Sequence, residues 1–255
     1  MEKYSIDPTL GPGRSILYAK GEFESGNAAA AGNDVCRSED VSGPGLLPTP
    51  AASGEQMTVT STHANDTAAG SGIQAVRIHY LNTSGVLMTE DVEMNGTGDV
   101  DTVYTDAIFV QDFYSIRNGS IGGVGAGNVT IIKKGGAIAT DLYSLIAAGG
   151  NKSLIPHRMV PAGQTLYLQS WRVAQSTASK RAAFRIRSTD MYGELLSGVF
   201  LFKDTCYIGA AASPDMNLHS IPVPAFSIVK VTHWSDTVGT EGSCSWWGYL
   251  KNDGT

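Results

Sequence analysis

The chain has 255 residues, and only 16% of them are charged, against about 25% in an average domain. Its 30 glycines and net charge of −6 favour a turn-rich, soluble β protein with a neutral polar surface, and argue against a coiled coil or a charged disordered tail. An acidic chain without a basic patch is also poorly suited to nucleic-acid backbones, so we expect no nucleic-acid partner.

Residues 1–55 carry few strand or helix signals. Glycine and proline interrupt each short apolar stretch, as at Gly11-Pro12-Gly13 and Ser42-Gly43-Pro44-Gly45. We predict an extended N-terminal arm over residues 1–55 that packs on a neighbouring subunit or on its own domain and becomes ordered chiefly through a partner. A disordered tail is the alternative.

From Met57 onward apolar and polar residues alternate, which is typical of strands with one buried face. The pattern predicts a hairpin made of 73–81 and 86–94, with Glu90 as the one polar residue on the apolar face. The residues assigned to that face are Val76, Ile78, Tyr80, Val86, Met88, Val92 and Met94. In the core of the domain we expect Val76, Ile78, Val92, Val229 and Val231.

Short strand candidates continue along the chain at a spacing typical of all-β folds. They are 102–104, 108–115, 129–133, 166–173, 183–187, 198–202, 228–234 and 246–250. One short helix is predicted over 141–148. The fold class is therefore all-β: an antiparallel β-sandwich or jelly roll over residues 56–255, as one domain or two β subdomains, preceded by the arm.

Two glycine-rich segments resemble phosphate-binding loops. Residues 122–127 lack the spacing of a dinucleotide fingerprint and precede a strand, while 149–153 have Asn151 where a P-loop requires glycine. Both are better explained as strand connections. Ser227-Ile228-Val229-Lys230 matches Ser-x-x-Lys, but in a strand residues three apart face opposite ways.

The reactive side chains form no recognisable site. The histidines are His63, His79, His157, His219 and His233. No two have a metal-binding spacing. Asp99 and Asp101 are only a weak calcium candidate, and Glu90 and Asp91 point to opposite faces. The alternative is a site in which His233 and Asp236 meet Ser243 or Cys244 across strands. We therefore predict no catalytic, cofactor-binding or metal residues, and no enzyme activity.

Two further patterns have a structural and a functional interpretation. Six asparagines begin Asn-x-Ser/Thr triplets, namely Asn65, Asn82, Asn95, Asn118, Asn128 and Asn151. We interpret them as turn residues rather than glycan sites. Trp246 and Trp247 could stack on a sugar ring, but we favour one core and one surface residue in a terminal strand.

The chain shows no apolar run long enough to span a membrane and no secretory signal at its start. Its three cysteines, Cys36, Cys206 and Cys244, are widely separated, which favours synthesis in a reducing cytoplasm, with a Cys206–Cys244 disulfide left open.

Three segments carry a resemblance to a known family. Residues 61–72 with Val76-Arg77-Ile78 and Leu81, then 92–97, then 160–168, resemble recurrent blocks in virion structural proteins of tailed bacteriophages. The resemblance covers most of residues 57–235 in order. It implies a virion location after synthesis in the host cytoplasm and contact with other virion proteins.

Two functions follow as hypotheses. The first is a capsid decoration or cement protein that acts as a homo-oligomer and clamps neighbouring shell subunits, with the major capsid protein as its expected partner. The alternative is a tail or fibre component that binds host glycans through Trp246, Trp247 and tyrosines. Copy number in the virion distinguishes them.

Overall fold

A computed structural model describes residues 14–23, 33–35, 53–176, 180–190, 200–209, 214–236 and 241–254. These residues form sixteen strands and one helical turn, α1 (Ile138–Asp141). In chain order the strands are β1 (Arg14–Phe23), β2 (Asn33–Asp34), β3 (Met57–Ser61), β4 (Ile73–Asn82), β5 (Leu87–Glu93), β6 (Val100–Asp101), β7 (Ala107–Asn118), β8 (Val129–Lys133), β9 (Leu142–Ile146), β10 (Arg158–Met159), β11 (Gln164–Gln175), β12 (Ala182–Ser188), β13 (Leu201–Ile208), β14 (Asp215–Val223), β15 (Ile228–Ser235) and β16 (Gly242–Asn252). The predicted all-β, antiparallel sandwich class is confirmed.

The chain folds into two compact units. The split unit combines residues 1–36 with 156–255, and the inserted unit is residues 37–155. These limits differ from the predicted boundary between an arm at 1–55 and a domain at 56–255. The reason is non-local pairing: β1 runs antiparallel to β16 in unbroken register from Arg14↔Lys251 to Phe23↔Gly242.

The split unit is a sandwich of two sheets. One has the order β1-β16-β11-β14, and the other β10-β15-β12-β13, with β2 also on β15. Side chains from both sheets form the core, including Trp171 and Trp246 from the first and Phe184 from the second. Their burial supplies most of the driving force for this unit.

The described part of the arm packs on its own chain. Gly21 permits this, because a Cβ there would lie 2.3 Å from the carbonyl oxygen of Val35 and 2.5 Å from the ring of Pro156. The glycine thus allows close packing of β1, where the sequence suggested an interruption. Strands β1 and β2 thus pair with β16 and β15 of the same chain, and the rest of the arm, 1–13, 24–32 and 36–52, lies outside the described residues.

The inserted unit is a second sandwich, with sheets β6-β3-β8-β9 and β5-β4-β7. All five residues expected in one core are buried, but they belong to two cores: Val76, Ile78 and Val92 here, and Val229 and Val231 in the split unit. The predicted hairpin is β4 and β5, paired from Ala75↔Glu93 to Leu81↔Leu87. Val86 is an exception, because it lies in the turn and is 53% exposed.

The helix predicted over 141–148 is wrong. That segment contains β9, in which four of five side chains are buried. Both faces of the strand are therefore covered. A strand buried on both faces has no period-two signature and resembles a buried helix segment. The strand expected at 102–104 is also displaced, to β6, and the Thr102 hydroxyl instead bonds the backbone of Met57.

Candidate interaction surface

Four aromatic side chains share the outer face of the β1-β16-β11-β14 sheet. Tyr18 lies opposite Trp247, and Tyr167 opposite Tyr249, because β16 pairs with β1 on one side and β11 on the other. The rings of Tyr167 and Tyr249 are stacked, with centroids 5.1 Å apart and planes 14° from parallel. Tyr18 is 45% exposed and Trp247 41%. We call these four residues the aromatic platform.

The alternation of β16 determines which rings face solvent. Trp246 is buried, and its Nε1–H donates a 3.0 Å hydrogen bond to the carbonyl of Pro156. Trp247 therefore points outward, which confirms the prediction of one core and one surface tryptophan. Gly248 lets β11 approach closely, since a Cβ there would lie 2.5 Å from the carbonyl oxygen of Tyr167.

Polar side chains border the aromatic platform. A bulge in β11 between Leu168 and Ser170 interrupts its pairing, and the Gln169 amide donates to the Ser220 hydroxyl at 2.7 Å. His219 and Ser220 have positive φ angles of 51° and 65°, a conformation that non-glycine residues seldom adopt. The bulge therefore brings amide and hydroxyl groups to the edge of the rings.

Three cationic side chains lie on this face around the aromatic platform. Lys20 is two residues beyond Tyr18 along β1, and Lys251 is two beyond Tyr249 along β16. Arg172, opposite Ser245, has its own anion, Asp215, at 3.5 Å. Among the described strand side chains of this outer face there are thus three cations and one anion, although the chain as a whole carries −6.

The inserted unit has a different polar centre, the buried carboxylate of Asp66. Its Oδ1 accepts hydrogen bonds from the amides of Ile73 at 2.8 Å and Ala126 at 2.9 Å. Its Oδ2 accepts from the Ser61 hydroxyl at 2.6 Å and the Gly127 amide at 2.9 Å. Four donors saturate both oxygens, so the carboxylate ties two loops together and is not available for chemistry.

Asp66 explains the glycine-rich segment 122–127. The prediction that it is a strand connection is confirmed, since it joins β7 to β8. A Cβ on Gly127 would lie 2.6 Å from Thr62 Oγ1, and one on Gly72 2.1 Å from Asp66 Oδ1. These glycines let the backbone reach the carboxylate. The sequence drew attention to the glycines and missed the aspartate that they surround.

Glu90, the misfit of the predicted hairpin, is a second structural carboxylate. It is buried and accepts hydrogen bonds from the backbone amides of Val103 and Tyr104. Asp91 points the other way and binds Arg77 through two contacts of 2.6 and 2.7 Å. The opposite orientation of these two acids is as predicted.

The outer face of the β5-β4-β7 sheet is a network of paired polar groups. The hydrogen bond with Asp91 raises the pKa of Arg77 and lowers that of Asp91. His79 contacts the hydroxyls of Thr89 at 2.8 Å and Tyr114 at 3.1 Å, and its pKa is lowered by burial. Charged groups on this face therefore have partners on neighbouring strands.

The remaining candidates lie apart from one another. His157 and His233 are buried, and burial lowers the pKa of His233 to about 4 and that of His157 well below its usual value. His63 and His219 are exposed. His233 is on β15 and Cys244 on β16, in different sheets. Across the described ranges no three His, Cys, Asp or Glu residues are grouped to hold a metal ion.

The other sequence motifs have structural positions. Ser227 precedes β15 and Lys230 lies within it, as the strand interpretation requires, and segment 149–153 follows β9 as a connection. Asp101 accepts from the Thr58 hydroxyl and pairs with Lys134.

The cysteines and asparagines follow the structural interpretation where they are described. Cys206 and Cys244 are free thiols whose pKa values are raised by burial, and Cys36 lies outside the described residues. The side chains of Asn82 and Asn128 bond nearby loop backbone, as expected of turn residues.

Comparison with known proteins assigns no family. No protein-family model matches the chain, and no curated protein matches it. Among solved structures, the N-terminal CBM22-1-CBM22-2 tandem domain of Xyn10C from Paenibacillus barcinonensis aligns with 94% of this chain and 93% of its own, at 11% identity and a TM-score of 0.27. That degree of similarity establishes neither relationship nor function. Among the described helical residues, no helix is long and apolar enough to cross a membrane.

Proposed function

We propose that the protein is a non-enzymatic structural component of a tailed-bacteriophage virion, and that it decorates the capsid. In this role it contacts the major capsid protein and other copies of itself, and stabilises the shell through many weak interfaces multiplied by symmetry.

The observation that carries the proposal is the use of Asp66. This residue lies in the segment 61–72, the first of the blocks that resemble phage virion proteins. Its carboxylate, a group that could in principle act as a base or ligand, is buried and bonded to four donors. A segment whose most polar residue holds loops in place supports a role in which surface shape matters, rather than bond chemistry.

Two other acids, the buried Glu90 and the half-buried Asp204, support the same role. Glu90 holds the backbone at Val103 and Tyr104, and Asp204 accepts a 2.9 Å hydrogen bond from the Trp171 indole. These polar groups are occupied in fixing loops and strands, which is what a protein that presents a rigid contact surface requires.

Copy number in purified particles tests the proposal. Quantitative mass spectrometry against the major capsid protein should find hundreds of copies in each virion. A dozen copies or fewer would contradict a shell role and move the protein to the tail or a fibre.

Particle stability provides a second test. Particles that lack the protein should assemble but burst more readily on heating or at low salt, while infection of cells by intact particles stays normal. Supplying the wild-type protein should restore stability, and supplying Asp66→Ala, in which the loops lose their anchor, should not. Particles of unchanged stability that fail to adsorb to cells would contradict the decoration role.

A further inference from the structure

We infer that the aromatic platform binds a polysaccharide whose sugar rings carry carboxylates, with a sugar ring stacked on the exposed Tyr18 and Trp247 and the carboxylates near Lys20 and Lys251. This function goes beyond shell stabilisation and depends on different residues from those that support the decoration role.

The arrangement of the rings follows from sheet geometry. Trp247 and Tyr249 are two residues apart on β16, so they face the same way, about 7 Å apart along the strand. Tyr18 and Tyr167 extend the aromatic surface onto β1 and β11, on opposite sides of β16. The rings of Tyr167 and Tyr249 are stacked on each other, so they border the open rings of Tyr18 and Trp247 and present mainly their edges. The exposed rings of Tyr18 and Trp247, opposite each other on neighbouring strands, suit the apolar C–H face of a pyranose ring.

The size of the platform fits a glycan better than a protein. An aromatic side chain buries about 150–250 Å² in full, so the two most exposed rings, Tyr18 at 45% and Trp247 at 41%, present roughly 200 Å². The half-buried tyrosines add less. A stable protein interface needs roughly 800 Å² on each partner. The apolar area is therefore that of a small-ligand site.

The polar edge matches the remaining parts of a sugar. Ser170 and Ser220 offer hydroxyl groups that can donate and accept hydrogen bonds, as sugar hydroxyls do, while the NH2 group of Gln169 already donates to Ser220 and to the Tyr167 carbonyl. Lys20 and Lys251 lie just past the rings in opposite directions along the strands. These two cations, one at each end of the rings, are complementary to an acidic polymer, although Asp253 accepts a hydrogen bond from Thr165, the residue opposite Lys251.

Binding to uronic-acid polymers tests the inference. The full chain is titrated with polygalacturonate, alginate and hyaluronate, and with methyl-esterified polygalacturonate, which has the same rings without the charges. We expect binding to at least one of the three acidic polymers. This binding should weaken at 0.5 M salt, because the Debye length falls from about 10 Å at 0.1 M to about 3 Å at 1 M and charges are screened accordingly. For polygalacturonate, esterification should also weaken it.

Matched variants make the test specific. Tyr18→Ala/Trp247→Ala should bind at least tenfold more weakly, while Trp247→Phe, which keeps a ring, should retain most of the affinity. Lys20→Gln/Lys251→Gln should remove most of the salt dependence. Tyr207→Ala is the control, since Tyr207 is 76% exposed on the other sheet of the same unit, and it should bind like wild type. Melting curves verify that each variant is folded.

Several results would overturn the inference. They are absence of binding to all three acidic polymers, wild-type affinity in folded Tyr18→Ala/Trp247→Ala, or an equal loss in Tyr207→Ala. Each leaves the decoration role untouched, because that role is measured by copy number and particle stability.

Discussion

The solvent-facing sides of the two units differ in the side chains that cover them. In the inserted unit, the β5-β4-β7 face carries cross-strand pairs such as Arg77 with Asp91 and Arg117 with Glu93, so its polar groups satisfy one another. In the split unit, the β1-β16-β11-β14 face carries aromatic rings with Tyr18 and Trp247 partly open to solvent. The polar groups of the first face are paired with one another, whereas the second face retains apolar surface that a ligand can cover.

The two units also differ in what holds them together. The split unit packs two buried tryptophans, and the inserted unit uses the buried carboxylate of Asp66 to join its loops. The comparison therefore predicts that substitutions in the core, in the loops and on the surface, and a change of pH, will alter the stability of the two units unequally.

The largest effect is expected from Ile78→Asp. The side chain is fully buried in the core of the inserted unit, so the variant places an unpaired charge in an apolar site and should cost about 4 kcal/mol or more. Hydrogen exchange resolved by mass spectrometry should show lost protection in residues 53–155 before 156–254. Val86→Asp, at an exposed position of the same hairpin, is the control and should cost under about 0.5 kcal/mol. Equal loss of protection in both units would contradict the prediction that the inserted unit is destabilised first.

Asp66→Ala should come next, at about 3 to 4 kcal/mol. It deprives three backbone amides and a hydroxyl of their acceptor while they remain buried, and each such loss is expensive. Urea unfolding measures the cost, and faster amide exchange at Ala126 and Gly127 should accompany it. Asp99→Ala removes an exposed turn carboxylate and should be near neutral. Similar stability for both variants would contradict the anchoring role.

Acid should weaken the split unit through His233. Its pKa is about 4 when folded, against 6.5 for the free side chain, so the unfolded state binds more protons between these values. Stability is fully present above pH 6.5 and falls as the pH drops towards 4, by roughly 3 kcal/mol from this residue. His233→Asn should reduce the dependence and leave the part that comes from the buried His157, whereas His219→Asn, at an exposed position, should not reduce it. An NMR titration of His233 near pH 6.5 would contradict this.

The smallest effect is expected for the pair Arg77 and Asp91. Both are partly exposed, so a double-mutant cycle with alanine should give a coupling energy of about 0.5 kcal/mol despite the two short contacts. The coupling should fall towards zero at 1 M salt. A coupling above about 2 kcal/mol would mean that the face is more than a set of solvated pairs.

The alternation of apolar and polar residues predicted the strands that have one buried face and one solvent-exposed face. The β4–β5 hairpin and the burial of Val76, Ile78 and Val92 follow directly from alternation. The strand β9 does not, because it is buried on both sides. Which segments make up each of the two units could not be predicted either, since this depends on the pairing of β1 with β16, more than 200 residues away.

The candidate site was only partly visible in the sequence. The outward position of Trp247 follows from its buried neighbour, Trp246, in an alternating strand. Its aromatic neighbours Tyr18 and Tyr167 come from distant segments, and only the register of three strands brings them together. Glu90 was correctly noticed as a misfit, but its partners, the amides of Val103 and Tyr104, form a turn that local pattern did not predict.

The insertion of one unit within the other imposes an order on events at the ribosome. Residues 37–155 are contiguous, so the inserted unit has all its strands once they have emerged, and domains generally fold as they are synthesised. The split unit must wait for β16, whose residues 242–252 pair with both β1 and β11. Until then β1 is a ten-residue strand without its partner, and the nascent chain exposes an edge that another polypeptide or a chaperone can occupy.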